Sequence, residues 1–123
     1  MRLEIIKKEY IEYLRLRNYS ESTMITRNIM LGQFIKYLKA GDIETIEDVT
    51  EDHINSYKKY RYYKQNQFGR NDKDHVQNKH IFLLKNFFEF SKNKGYINYN
   101  IAENLEPLLV SKILQEVLND EEV

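Results

Sequence analysis

Leu3, Ile6, Tyr10, Tyr13 and Leu14 recur at spacings of three and four, with Glu4, Lys7, Lys8, Glu12 and Arg15 between them. That period predicts an amphipathic helix over Leu3–Arg17 with one apolar stripe in the core. Asn18 and Tyr19 break the pattern, and Ser20 stands where an N-cap hydroxyl can accept an orphan backbone N–H, with Glu21 favoured by the helix dipole. A second helix is predicted from there to about Lys39, burying Met24, Ile25, Asn28 or Leu31, Phe34, Ile35 and Leu38. Gly32 weakens its middle, and Gly41 is placed to end it in a left-handed conformation. Asp42–Asp48 reads as an ordered connector that tucks in Ile43 and Ile46.

Thr50 is the expected cap of a third helix, with Glu51 and Asp52 in its first turn and Ile54, Tyr57 and Tyr60 at helical spacing. The polar stretch Gln65–Lys73, with Gly69, reads as a loop. A fourth helix is expected over about Lys73–Lys92, capped by Asn71, Asp72 or Asp74. Val76, Ile81, Leu84, Phe87 and Phe88 form its apolar side, widened by Leu83 and Phe90, and Lys94-Gly95 ends it. Ile101–Leu105 is predicted as a short fifth helix that Pro107 stops. Leu108, Leu109, Ile113, Leu114, Val117 and Leu118 continue an apolar pattern in the tail. The expected fold is all-α, a four-helix bundle with a short fifth helix and a C-terminal tail.

Length and composition narrow the function. The 123 residues suit one domain, with a core large enough to fold without staples. No cysteine is present, which excludes thiolate metal sites, thiol nucleophiles and disulfides, and no signal or membrane-spanning stretch is evident, so a cytoplasmic protein without a membrane partner is expected. His53, His75 and His80 are not spaced to align on one helical face, and each reads as a surface residue. The acids Asp42, Glu44, Glu47, Asp48, Glu51 and Asp52 lack a calcium loop's pattern, and the isolated glycines cradle no phosphate. Neither a cofactor nor a metal is expected, and no serine has a hydrolase context.

The 19 basic and 19 acidic side chains cancel only in sum. Residues 1–40 carry a net +4, 41–55 a net −6, 56–94 a net +7 and 95–123 a net −5, so a polyanion could meet a basic face on a neutral chain. Tyr57, Tyr60, Tyr62 and Tyr63 are interleaved with Lys58, Lys59, Arg61 and Lys64, a pattern able to stack on nucleic acid, although the spacing of Tyr57 and Tyr60 is explained by packing alone. Ser20, Thr23, Thr26 and Arg27, with Asn78, Lys79, His80 and Lys85, are the side-chain types that contact phosphate and groove. They form the candidate DNA-binding set. A helical protein-interaction or regulatory module is the competing reading.

Four segments in order resemble the N-terminal core-binding, SAM-like domain of tyrosine recombinases, the phage-integrase and Xer-type enzymes. Tyr13-Leu14 with Asn18-Tyr19-Ser20-Glu21-Ser22-Thr23 is similar to the family's "rgLSxxT", and Ile46 to Ile54 with Tyr57 to "itdiTxxdIxxYl". Asn78 to Phe88 resembles "inRrLsalRsFf", and Gly95 to Leu105 resembles "glixxNPaenl". Lys112 to Val123 resembles the opening of the family's catalytic domain. The resemblance implies a core-binding domain over residues 1–106, and over 107–123 a linker and the start of a catalytic domain that the sequence does not contain. It implies a clamp on double-stranded DNA, not catalytic by itself, with the catalytic domain of the same polypeptide and other recombinase protomers as partners. Ser20 and Thr23 match positions that start the second helix near the DNA backbone, and Lys79, His80 and Lys85 match basic positions on the fourth. Arg27 stands where the family commonly has an aromatic residue, Ile101 where it has proline, and His80 and Lys85 where arginine is common. Neither of the last two reproduces the guanidinium fork used for bidentate base recognition.

Overall fold

The computed structural model describes residues 1–67 and 74–106, without the side chains of residues 64–67 and 74–76. The expected caps Asn71 and Asp72, most of the Gln65–Lys73 loop and the 107–123 tail lie outside the described residues. The described residues form four helices, α1 (Leu3–Leu16), α2 (Glu21–Ala40), α3 (Glu51–Gln67) and α4 (Asp74–Asn93), with a 3-10 turn at Ile46–Asp48. No strand occurs among the described residues, only an isolated antiparallel bridge between Arg2 and Thr45. The all-α bundle is the fold that the apolar spacing predicts.

Aromatic rings tie the helices together. Tyr10 of α1 meets Phe87 of α4 edge-on with ring centres 5.8 Å apart, and Phe34 of α2 lies 5.0 Å from Tyr57 of α3 and 6.1 Å from Phe88 of α4. All five are essentially inaccessible. Each fully buried aromatic or aliphatic side chain contributes roughly 1.5–3 kcal/mol relative to an exposed one. Pairing of Tyr57 with Tyr37 and of Arg61 with Gln33 runs in opposite chain directions, so α3 lies antiparallel to α2. Tyr37, Tyr57 and Tyr60 continue the cluster outward, Tyr57 buried and Tyr60 exposed at 45% with its ring against Tyr37.

Three helices end in the same way. The N–H of Tyr19 bonds the carbonyl of Leu14, that of Ile43 bonds Leu38, and that of Tyr96 bonds Ser91. In each case the residue before the donor has positive φ: Asn18 at 63°, Asp42 at 65° and Gly95 at 85°. This is the Schellman arrangement. At the end of α2 the left-handed residue is Asp42, not Gly41, whose φ is −101°. Gly41 is still the cap, and the reversal falls one residue later, on a side chain short and polar enough to tolerate it.

Other departures concern facing. Ile25 is 54% exposed and Asn28 is exposed, so α2 buries Met24, Leu31, Phe34, Ile35 and Leu38 only. Tyr13 is also largely on the surface, its ring tilted against Phe90. Residues 101–104 form turns in place of the expected short helix. Asn100 explains this: its Oδ1 accepts the N–H of Ala102 at 2.9 Å, a side-chain bond that competes with helical pairing. Its Nδ2 donates to the Lys85 carbonyl and to Glu89, which docks the segment on α4 and buries Ile101, Ala102 and Leu105.

Candidate nucleic-acid interface

At the start of α2 the Ser20 hydroxyl accepts the N–H of Thr23 at 3.1 Å and donates to the Thr23 hydroxyl at 2.9 Å. Both predicted contacts therefore build the helix terminus first. Thr26 is exposed one turn further on. Arg27 is half-buried and fixed: Nη1 donates to the Tyr10 hydroxyl at 2.8 Å, and the guanidinium lies 5.3 Å over the Tyr19 ring. Burial raises the Tyr10 phenol above its ordinary value and the Arg27 charge opposes that shift, so the hydroxyl stays protonated at neutral pH. Four further N–H donors of Arg27 are not used by that bond.

On α4, Asn78 and Lys85 are half-buried and Lys79 is exposed. His80 is not a surface residue, being 6% exposed and facing Tyr57 across α3 with ring centres 6.4 Å apart. Burial, and then the Arg61 charge, push its imidazole down to about 4. A buried neutral ring offers phosphate no charge, so His80 leaves the interface and joins the core. His53 is likewise engaged, its Nδ1 accepting the N–H of Thr50 while the Thr50 hydroxyl accepts the N–H of His53, a reciprocal cap at the start of α3.

Seven of the predicted residues thus remain at or near the surface, in two groups. Ser20, Thr23, Thr26 and Arg27 occupy the first two turns of α2, and Asn78, Lys79 and Lys85 the outer side of α4. A concavity of about 650 Å³ lies over α1, which lines it from Lys8 to Leu16, with Tyr19 and Arg27 on one side and Asn86, Glu89 and Phe90 of α4 on the other. Glu9, Glu12 and Glu89 balance its Lys8, Arg27 and Lys94, so the floor of the groove is not a phosphate site; Lys79 and Lys85 are not part of its lining. None of the described ion pairs involves Arg17, Arg27, Lys79 or Lys85.

The helical repeat fixes how the α4 residues are displayed. At about 100° per residue, Lys79 and Lys85 project from opposite edges of an outward arc of about 120°. Phe82 sits near the middle of that arc and is 59% exposed, with Asn86 one turn on donating its Nδ2 to the Phe82 carbonyl at 3.0 Å. Sequence reading names the two lysines but not Phe82, although the apolar stripe of α4 already excludes that position. A separate group of acids lies at the end of the bundle where α1 begins and α2 finishes: Arg2 pairs with Glu44 at 2.9 Å and Lys39 approaches Glu4 at 4.0 Å.

Among the described residues no group of His, Asp and Glu could hold a metal, and no helix is long and apolar enough to cross a membrane. What the fold and this surface define is a small all-α bundle that presents basic side chains outside the described ion pairs on two helices. A family model described as the phage integrase N-terminal SAM-like domain matches residues 8–95, and the chain belongs to that family, whose domains are generally involved in DNA binding and recombination. Comparison with curated proteins and with solved structures returned no match.

Proposed function

We propose that this domain binds double-stranded DNA as the non-catalytic clamp of a site-specific recombinase, laying the outer side of α4 along the major groove and the start of α2 against the backbone. The carrying observation is the placement of Lys79 and Lys85 at the two edges of one outward helical arc, without ion-pair partners among the described residues. A helix about 10–12 Å across fills a major groove about 12 Å wide, so charges at its two edges meet the phosphates of the two walls. Arg27, held by Tyr10 and Tyr19, and Thr26 supply further contacts from α2. A catalytic domain of the same polypeptide and other protomers on the DNA would complete the assembly and raise the effective concentration of a weak isolated clamp.

Fluorescence anisotropy with a labelled 30-base-pair duplex tests this reading. Binding is expected at 50 mM salt with a steep loss toward 200 mM, about tenfold or more for a few phosphate contacts. The double variant K79A/K85A should weaken binding while leaving the circular dichroism spectrum unchanged. Absence of duplex binding at low salt would defeat the reading. One observation favours a protein-interaction surface instead: Ile25 and Ile29, a turn apart on α2, are 54% and 55% exposed. Self-association measured by sedimentation without DNA, lost on I25S/I29S, would support that second reading.

A further inference from the structure

We propose that Phe82 is a base-reading residue that packs on the 5-methyl group of thymine, giving the domain a preference for thymine-containing duplex at the centre of its α4 footprint. This rests on the duplex-binding reading above. With Lys79 and Lys85 on the two edges of the arc, the side chain between them is aimed at the groove floor, and that side chain is an exposed phenyl ring, not a polar group. Its exposure follows its register on the helix: Ile81, Leu83 and Leu84 on either side of it are buried, and the core of the described residues does not include it. Leaving a phenyl ring in water has a hydrophobic cost that only an apolar partner recovers. Of the base edges in the major groove, those of A, G and C present hydrogen-bonding groups, and thymine alone adds a methyl.

Lysine contacts at the groove walls carry no sequence information, so affinity and preference separate in this arrangement. Asn86 turns its amide back along the helix, donating one Nδ2 hydrogen to the Phe82 carbonyl. A single apolar contact of this kind discriminates modestly. One buried methyl corresponds to roughly fourfold in affinity.

The experiment compares an alternating dA–dT duplex with the same duplex carrying deoxyuridine for thymidine, which removes the methyl and keeps the pairing. The wild-type chain should bind the thymidine duplex about fourfold more tightly per methyl reached. F82A should bind both duplexes equally, at the wild-type level for the uridine duplex. Wild-type binding that is salt-dependent but equal on both duplexes would overturn the proposal and leave the clamp reading intact. Discrimination that persists in F82A would also overturn it, by assigning the effect to another residue or to DNA shape. No binding to either duplex at low salt would remove the clamp reading itself. Because the ring is outside the core, F82A should keep the wild-type unfolding midpoint, which serves as the folding control.

Discussion

His80 carries the clearest pH signature of any described side chain in the domain. Its value of about 4 in the fold lies below the ordinary 6.5, so the unfolded chain binds the proton first as pH falls. The stability it confers is complete above pH 6.5 and is lost as pH drops through 4. The loss reaches roughly 3 kcal/mol, since each tenfold change in proton affinity is worth about 1.4 kcal/mol. Urea unfolding at pH 7 and pH 4.5 should reveal this loss, and H80L should show a smaller difference between the two conditions. The left-handed residues give a second expectation. D42G should stabilise the chain by about 0.5–1 kcal/mol and G95A should cost about 1–2 kcal/mol, whereas G41A should be nearly neutral. At Gly41 a Cβ would meet the Leu38 carbonyl oxygen at an ordinary 3.6 Å, with φ already negative. Thermal denaturation of the three variants checks the order. Glycine is the usual choice for a reversal point, which is why the sequence points to Gly41, but the hydrogen bonds decide by one residue, and composition cannot register one residue. His80 is illegible in the sequence for a related reason: a lone histidine on a charged helix looks solvated until a neighbouring helix, here α3, is known to cover it.

The helices themselves are legible because their termini and stripes agree. Ser20, Thr50 and Gly95 punctuate the chain where the apolar period stops, and the structure uses each of them. Ser20→Ala should therefore cost about 1 kcal/mol of stability, read from chemical denaturation, since it removes the acceptor for the Thr23 N–H. In α2 the faces are harder to read than the boundaries. Ile25 and Ile29 lie on the outward side although their type suggests burial, so hydrophobicity alone does not tell core from surface there. The C-terminal turns depart differently, because Asn100 takes up the Ala102 N–H and commits its amide nitrogen to α4. A side chain bonded to a following N–H, a carbonyl and a carboxylate at once overrides the weak helical period of five residues. The candidate DNA-binding set is drawn from residue types in two clusters; its display on α4, with Phe82 between two lysines, depends on which side the bundle covers.

At the scale of the whole molecule the expectation is about salt. Each of Lys79 and Lys85 that contacts a phosphate should contribute about one to the slope of log affinity against log salt, so K79A and K85A should each flatten the slope by about that much, and the double variant by about two. An unchanged slope would show that neither lysine touches the backbone. The same scale bears on how a chain with 19 charges of each sign would approach a polyanion on the clamp reading. The acids of the connector sit at the C-terminal end of α2, a helix of 20 residues, and Arg27 sits near its beginning. That puts about 20–30 Å between them, more than two screening lengths in physiological salt. Among the described residues the acidic connector and Arg27 thus lie at opposite ends of α2. On the clamp reading, a duplex would draw the Arg27 end of α2 toward its phosphates in preference to the connector end. Added salt should then slow the association rate measured by stopped flow more than it speeds dissociation.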